Sequence, residues 1–475
     1  MITFCVSFLC LVLGYVFYGA VVERVFGVEP DRPTPCYTRA DGVDYVPMPT
    51  WKVFLVQFLN IAGTGPIFGA IMGILFGPAA YLWIVLGCIF AGATHDYMSG
   101  MISLRKGGIS ISEFVGDELE PGIRLLMRAF SMVLLLLVAA VFITTPANLL
   151  ASMTSDWGTC GTVLFWSAVI FLYYILATLL PVSALIGRIY PLFGLAMLVM
   201  ACGIGVGIFT HDGWMPELTD SLMGNHPRGL PVFPMLCITI ACGAISGFHG
   251  TQSPMMARCL KNERMGRRVF YGAMIAEGLV ALIWAAASIK YAGGYRQLAD
   301  MGNPAVVVSV LCQSWMGRVG AVLAVLGVVA APVTSGDTAL RSARLMAADF
   351  LHFRQDKLWR RLVLSLPVFA VCALLLFVNF DVLWRYFAWS NQTLAFMTLW
   401  AVSVWLARKG KFFWVTLIPA MFMTVVCTSY ILVAPEGFQL PLRVGLVSGV
   451  SFMCVLTASF AVWKICRGKQ AAAKP

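Results

Sequence analysis

Long apolar stretches alternate with short polar ones from one end of the chain to the other. A helix needs roughly 20 apolar residues to cross about 30 Å of hydrocarbon. Thirteen stretches have that length, at about 2–22, 51–76, 79–101, 124–150, 162–180, 188–209, 232–256, 268–290, 318–344, 361–379, 384–406, 412–433 and 442–464. The polar segments between them, even 23–50, 102–124 and 211–231, are loop-sized, so no soluble domain is visible. The apolar run 305–311 is too short to span and reads as a re-entrant or capping element. The first stretch lacks a basic leader and a small-residue cleavage site, which makes it a retained helix rather than a signal peptide.

Two of these stretches are interrupted by glycine, at Asn60-Ile-Ala-Gly-Thr-Gly-Pro66 and from Ala241 to Pro254. A broken helix leaves amides and carbonyls unpaired, which hydrocarbon does not tolerate unless they face a cavity or a ligand. Each break opens a group of five spans, 51–210 and 232–407, and the two groups begin on opposite sides. Matching breaks in two halves point to the binding site of a secondary transporter. The arrangement resembles the LeuT-type five-plus-five inverted repeat. It implies an all-α polytopic membrane protein with one extra helix in front, at 1–22, and two peripheral ones behind, at 412–466.

Composition agrees: 60% of residues are hydrophobic and 12% charged, with a mean hydropathy of +0.85. A net charge of +11 suggests nucleic acid in a soluble protein. Here it marks the cytoplasmic side. With the N-terminus outside and the C-terminus inside, only Arg228, Lys290, Arg296, Arg318, Arg385 and Arg443 of the 33 basic residues fall outside. The fourteen cysteines lie mostly within spans and form no CxxC pair, so they read as small packing residues.

The breaks carry the candidate chemistry. Carbonyls freed near Leu59 and Ala62 would bind a cation, while amides near Thr64 and Gly65 would face an anionic group. The second break offers Ser246, Gly247, His249 and Thr251 at the same depth, and Gly63 completes the candidate substrate set. In the ninth span, Ala331, Thr334 and Ser335 supply oxygens that, with Leu59 and Ala62, suit a sodium-like site. The competing reading has Asp337 paired with Arg341 and the hydroxyls bonded back to their own helix. Acids within spans are costly, which makes Asp96, Glu277 and Asp337, with His95, candidates for proton coupling. Asp96 is expected near the cytoplasm, in a gate or an interhelix network. Asn391 and Gln392 either line an entrance or bond neighbouring helices.

Taken together, Gly63-Thr-Gly-Pro66, Thr94-His-Asp-Tyr97, Gly108-Ile-Ser-Ile-Ser-Glu113, Gly243-Ala-Ile-Ser-Gly-Phe-His249, Thr334-Ser-Gly-Asp-Thr338 and Ser390-Asn-Gln392 resemble the carbon starvation protein A family. The resemblance runs from about residue 50 to 395. It implies an importer of the bacterial cytoplasmic membrane, in the amino acid–polyamine–organocation superfamily, for pyruvate or small peptides. The chain is shorter than the longer members. No cofactor is called for, with Na+ a candidate coupling ion, and no nucleophile–base pair marks an enzyme. A starvation sensor with little transport is the alternative, weakened by the lack of a soluble signalling domain.

Overall fold

The computed structural model describes every residue except 42–44, 120, 180–189, 352, 354–357 and 473–475. Among the described residues all regular structure is helical. Helix occupies each of the thirteen apolar stretches, although the end of the fifth at 180 and the start of the sixth at 188 lie outside the described residues. By length and hydropathy eight helices among the described residues suffice to cross a membrane, or ten if each of two bent pairs is one span. The stretch 232–256 falls short because it is broken into Val232–Thr239 and Gly247–Ala257, and another because of its polar side chains. This second one, Phe380–Arg408, carries Asp381, Arg385, Asn391 and Gln392.

Polar contacts join the helix ends and the loops between them in two groups. In one group Glu217 binds the N-terminal amine and the Thr3 amide, Arg385 pairs with Glu436 at 3.0 Å, and Phe76 packs on His226. In the other, Arg105 clamps Glu263 through Nε at 2.9 Å and Nη2 at 2.8 Å and also reaches the Gly27 carbonyl. Arg408 meets Glu118 there at 3.1 Å. The segment 102–124 is not all loop: Ile111–Glu118 is helical, and the Ser110 side chain caps it by accepting from the Glu113 amide at 3.3 Å.

The run 305–311 belongs to the helix Pro304–Ala324, which kinks at Gly317 where φ is +58°. Beyond the kink a π turn, Val325–Val329, leads into Ala330–Leu351.

Lipid offers helices no hydrophobic drive to associate, so close packing by small residues holds them together. Gly65, Gly69 and Gly73 make such a stripe. A methyl group added at them would meet the Cys242 side chain at 2.4 Å, the Thr239 carbonyl at 2.9 Å and Ile240 at 2.2 Å. One broken helix therefore lies directly on the other. The extra N-terminal helix, Ile2–Phe26, packs through Gly14 on Ile89 and through Gly19 on Tyr271.

Candidate functional site

The first break separates Thr50–Ile61 from Gly65–Phe76, which meet at a 49° bend. Ala62 leaves the helical region, with φ −87° and ψ +45°. The second separates Val232–Thr239 from Gly247–Ala257, with Ile240 and Ser246 non-helical. The breaks abut: Gly65 rests on Cys242, and Gly243 approaches the Cα of Pro66. Around them Asn60 Oδ1 and Nδ2, Thr64 Oγ1 and Gln252 Oε1 are buried without a protein partner. A buried polar atom left unpaired is expensive, and such atoms at a helix break suit a polar ligand.

Not every residue of the expected substrate set faces the other break. Gly63 lies under the Phe142 ring, 2.9 Å from an added methyl. Gly247 serves the approach of another helix, since its methyl would meet the backbone of Asn391 and Ala395 at 2.5 and 2.6 Å. The Thr251 hydroxyl donates within its own helix to the Phe248 carbonyl at 2.7 Å. Ser246 is held by Asn391, whose Nδ2 lies 2.9 Å from Ser246 Oγ and 3.5 Å from Cys242 Sγ. Asn391 Oδ1 accepts from the Phe248 amide at 2.6 Å. A side chain from another helix thus caps the second half-helix and takes up an amide that an anion would otherwise use. Gln392 donates to the Cys237 carbonyl at 2.6 Å. Asn391 and Gln392 therefore bond neighbouring helices, one of the two roles open to them in the sequence.

The titratable side chains converge more than the sequence suggests. The Asp96 carboxylate is shared: His95 Nδ1 lies 2.8 Å from Oδ1, and His249 Nδ1 lies 2.8 Å from Oδ2. The far nitrogen of His249, Nε2, is 3.3 Å from Glu277 Oε2 without hydrogen-bond alignment. All four side chains are fully buried. Asp96 is thus in contact with the second break through His249, in the interhelix network expected of it. Gly92 permits this, because the Ala244 carbonyl sits where its Cβ would be, at 2.2 Å. The π turn Gly87–Gly92 just before alters the helical register, a distortion common near functional sites.

Asp337 stands apart from this cluster, 3.6 Å from Arg341. Thr334 donates to the Ala331 carbonyl at 2.8 Å, within its own helix, while Ser335 Oγ lies 3.5 Å from the Leu59 carbonyl. The ninth stretch is therefore tied to the first break through Ser335, and Thr334 and Asp337 show the local pairings that compete with a cation site. Ala62 is buried, and its amide is bonded to the Phe58 carbonyl.

A cavity of ≈ 330 Å³ opens beside Arg385, the partner of Glu436. Thr239, beside the second break, and Ile71, beyond the first, line it, with Trp384, Arg228, His226 and Asp381. Burial, followed by Arg228 and Arg385 nearby, pushes the His226 imidazole down to about 4. The neutral form is then favoured in the native state at every pH above that value. In an NMR titration the His226 imidazole should show no protonation step above about pH 5, whereas an imidazole with its ordinary value would titrate near 6.5.

The family described as carbon starvation protein CstA matches residues 1–165, 152–295 and 284–430. An uncharacterized membrane protein of Haemophilus influenzae is 42% identical over 356 residues, 65% of this chain and 95% of that protein. The peptide transporter CstA of Bacillus subtilis is 32% identical over 60% of this chain and 58% of its own length. The pyruvate/proton symporter BtsT of Escherichia coli is 29% identical over 60% of this chain and 48% of its own. The chain thus spans about half the length of the last two relatives. In fold it is similar to a manganese transporter of Eremococcus coleocola, at TM-score 0.52 and 13% identity over 90% of this chain and 98% of that one. It is equally similar to a Na+-coupled sialic acid symporter, at TM-score 0.52 and 15% identity over 96% of each chain.

Proposed function

The chain belongs to the carbon starvation protein CstA family, and from that premise we propose that it is an alternating-access transporter importing a small carboxylate nutrient, pyruvate or a short peptide. The observation that carries this reading is the contact of two broken helices at Gly65 and Cys242. Rocking one repeat against the other about a site at such breaks is how transporters of this build expose it to each side in turn. The likeness to a Na+-coupled symporter supports the LeuT-type division into 51–210 and 232–407 with flanking helices. The charge bias supports an N-terminus outside and a C-terminus inside. The substrate would descend from the ≈ 330 Å³ cavity to the buried Asn60, Thr64 and Gln252. Its carboxylate would meet the amides that open the half-helix at Gly65.

Protons are the first candidate for coupling, because one relative is named a pyruvate/proton symporter. Asp337 would take up a proton on parting from Arg341, a role supported by the contact of its neighbour Ser335 with the first break. Sodium is the second reading, favoured by Ser335 Oγ and the Leu59 carbonyl standing together next to Thr334 and Ala331. Proteoliposomes given labelled pyruvate or dialanine under separate proton and sodium gradients test both. Accumulation should follow one gradient, and neither substrate accumulating under either sinks the proposal. Asp337→Asn should lower proton-driven accumulation by about tenfold or more, equivalent to about 1.4 kcal/mol, yet spare exchange. For sodium, Thr334→Ala with Ser335→Ala should abolish the dependence instead.

A further inference from the structure

We propose that Cys242, His249 and Glu277 form a binding site for a divalent transition-metal ion against the first break. One ligand atom from each, a sulfur, an imidazole nitrogen and a carboxylate oxygen, lies within 4.8 Å of the others, and all three residues are buried. Tetrahedral ligands bound at about 2.1 Å stand about 3.4 Å apart. His249 Nε2 and Glu277 Oε2, at 3.3 Å, already have that separation. His249 Nε2 and both Glu277 oxygens have no aligned hydrogen bond, although they are fully buried, and His249 Nε2 faces only Glu277 and Cys242 within the cluster. Unsatisfied ligand atoms in a dry core call for a ligand.

The surrounding side chains are arranged as around a metal. Ligating histidines characteristically donate the second ring N–H to a carboxylate, which sets the tautomer and aims the free nitrogen. His249 Nδ1 donates to Asp96 at 2.8 Å, and Asp96 is held in turn by His95. Asn391 Nδ2 donates toward Cys242 Sγ at 3.5 Å, which suits a thiolate. Among the described residues no lysine or arginine pairs with Asp96 or Glu277. A divalent cation would balance them where burial makes uncompensated charge costly. Sulfur with imidazole selects zinc, cobalt or nickel over magnesium or calcium. Cys242 also touches Gly65, so an open fourth position would border the candidate substrate region.

The test needs no transport assay and so stands or falls apart from the transport reading. Untagged full-length protein in detergent is stripped with a chelator, titrated with Zn2+ or Co2+, and measured by elemental analysis and absorbance. About one ion per chain is expected, with a thiolate-to-cobalt charge-transfer band. Cys242→Ser should lose the band and His249→Gln the ion, while Cys427→Ser, a buried thiol elsewhere, keeps both. Asp96→Asn should weaken binding by about 10–100-fold. Each variant must elute as the wild type does. Wild-type protein that binds no more Zn2+ or Co2+ than His249→Gln, or binds Co2+ without the band, overturns the site.

Discussion

Gly65→Ala should abolish uptake while leaving the protein in the membrane. The added methyl would fall 2.4 Å from both Cβ and Sγ of Cys242, well inside van der Waals contact. The clash has no inexpensive release. Cys242 is itself part of the second break, and Gly69 and Gly73 on the same stripe are pressed against Thr239 and Ile240. Overpacking of this kind costs about 1–3 kcal/mol. Spread over the whole fold that would be survivable, but here it falls on the contact between two elements that rock in the proposed mechanism. A bias of about 1.4 kcal/mol against the state in which the breaks meet is already a tenfold loss of that state. Uptake of labelled substrate into proteoliposomes should fall by at least that factor. Gly205→Ala, whose methyl meets only Ile283 at 3.6 Å, is the matched control and should transport normally. Full activity in Gly65→Ala would mean that the breaks do not need to touch, and the proposed mechanism would lose its central contact.

The positions of the breaks were legible because glycine and proline in an apolar run have few other uses, and the helices were legible because a bilayer demands their length. What the chain could not disclose was partnership. Asp96 reads as a residue a few turns from the cytoplasm when counted along an ideal helix from Ala79. The π turn at Gly87–Gly92 alters that count, and the missing side chain of Gly92 admits the Ala244 carbonyl. Neither effect has a periodic signature. Glu277 lacks a basic residue within a turn, and its neighbour, His249, comes from a different helix. Cys242 looks like any small packing residue until the fold sets it between Gly65 and His249. Asn60 heads the first glycine motif, yet only its buried, unpaired amide marks it as more than a helical residue. Asn391 was visible as part of a polar cluster, but its capping of a helix 143 residues earlier depends on tertiary approach alone.

Asp96→Ala should be among the most damaging single changes in the molecule, for stability and transport together. Its two oxygens serve two imidazoles, His95 and His249, at 2.8 Å each, and all three side chains are shut away from solvent. Removing the carboxylate leaves both Nδ1 groups without that acceptor in a site that water does not reach, and breaking such a buried pair costs about 3–5 kcal/mol. His95→Phe should cost less, about 1–3 kcal/mol, because Oδ2 keeps His249. Asp96→Asn keeps the shape and one acceptor oxygen and should fall between the two. Thermal unfolding in detergent, followed by tryptophan fluorescence, would rank the three. The order has a functional reason. Asp96 belongs to Ala93–Arg105, His249 to the second broken helix, and Glu277 to Gly272–Ala292. The carboxylate therefore ties Ala93–Arg105 to the second broken helix and aims the free edge of His249 at Glu277. Without it the break can remain open in outline while its one oriented imidazole turns freely, so uptake should be lost even at temperatures where the variant is folded. If Asp96→Ala melts with the wild type and transports, the imidazoles do not depend on this carboxylate, and the second break is held by Asn391 alone.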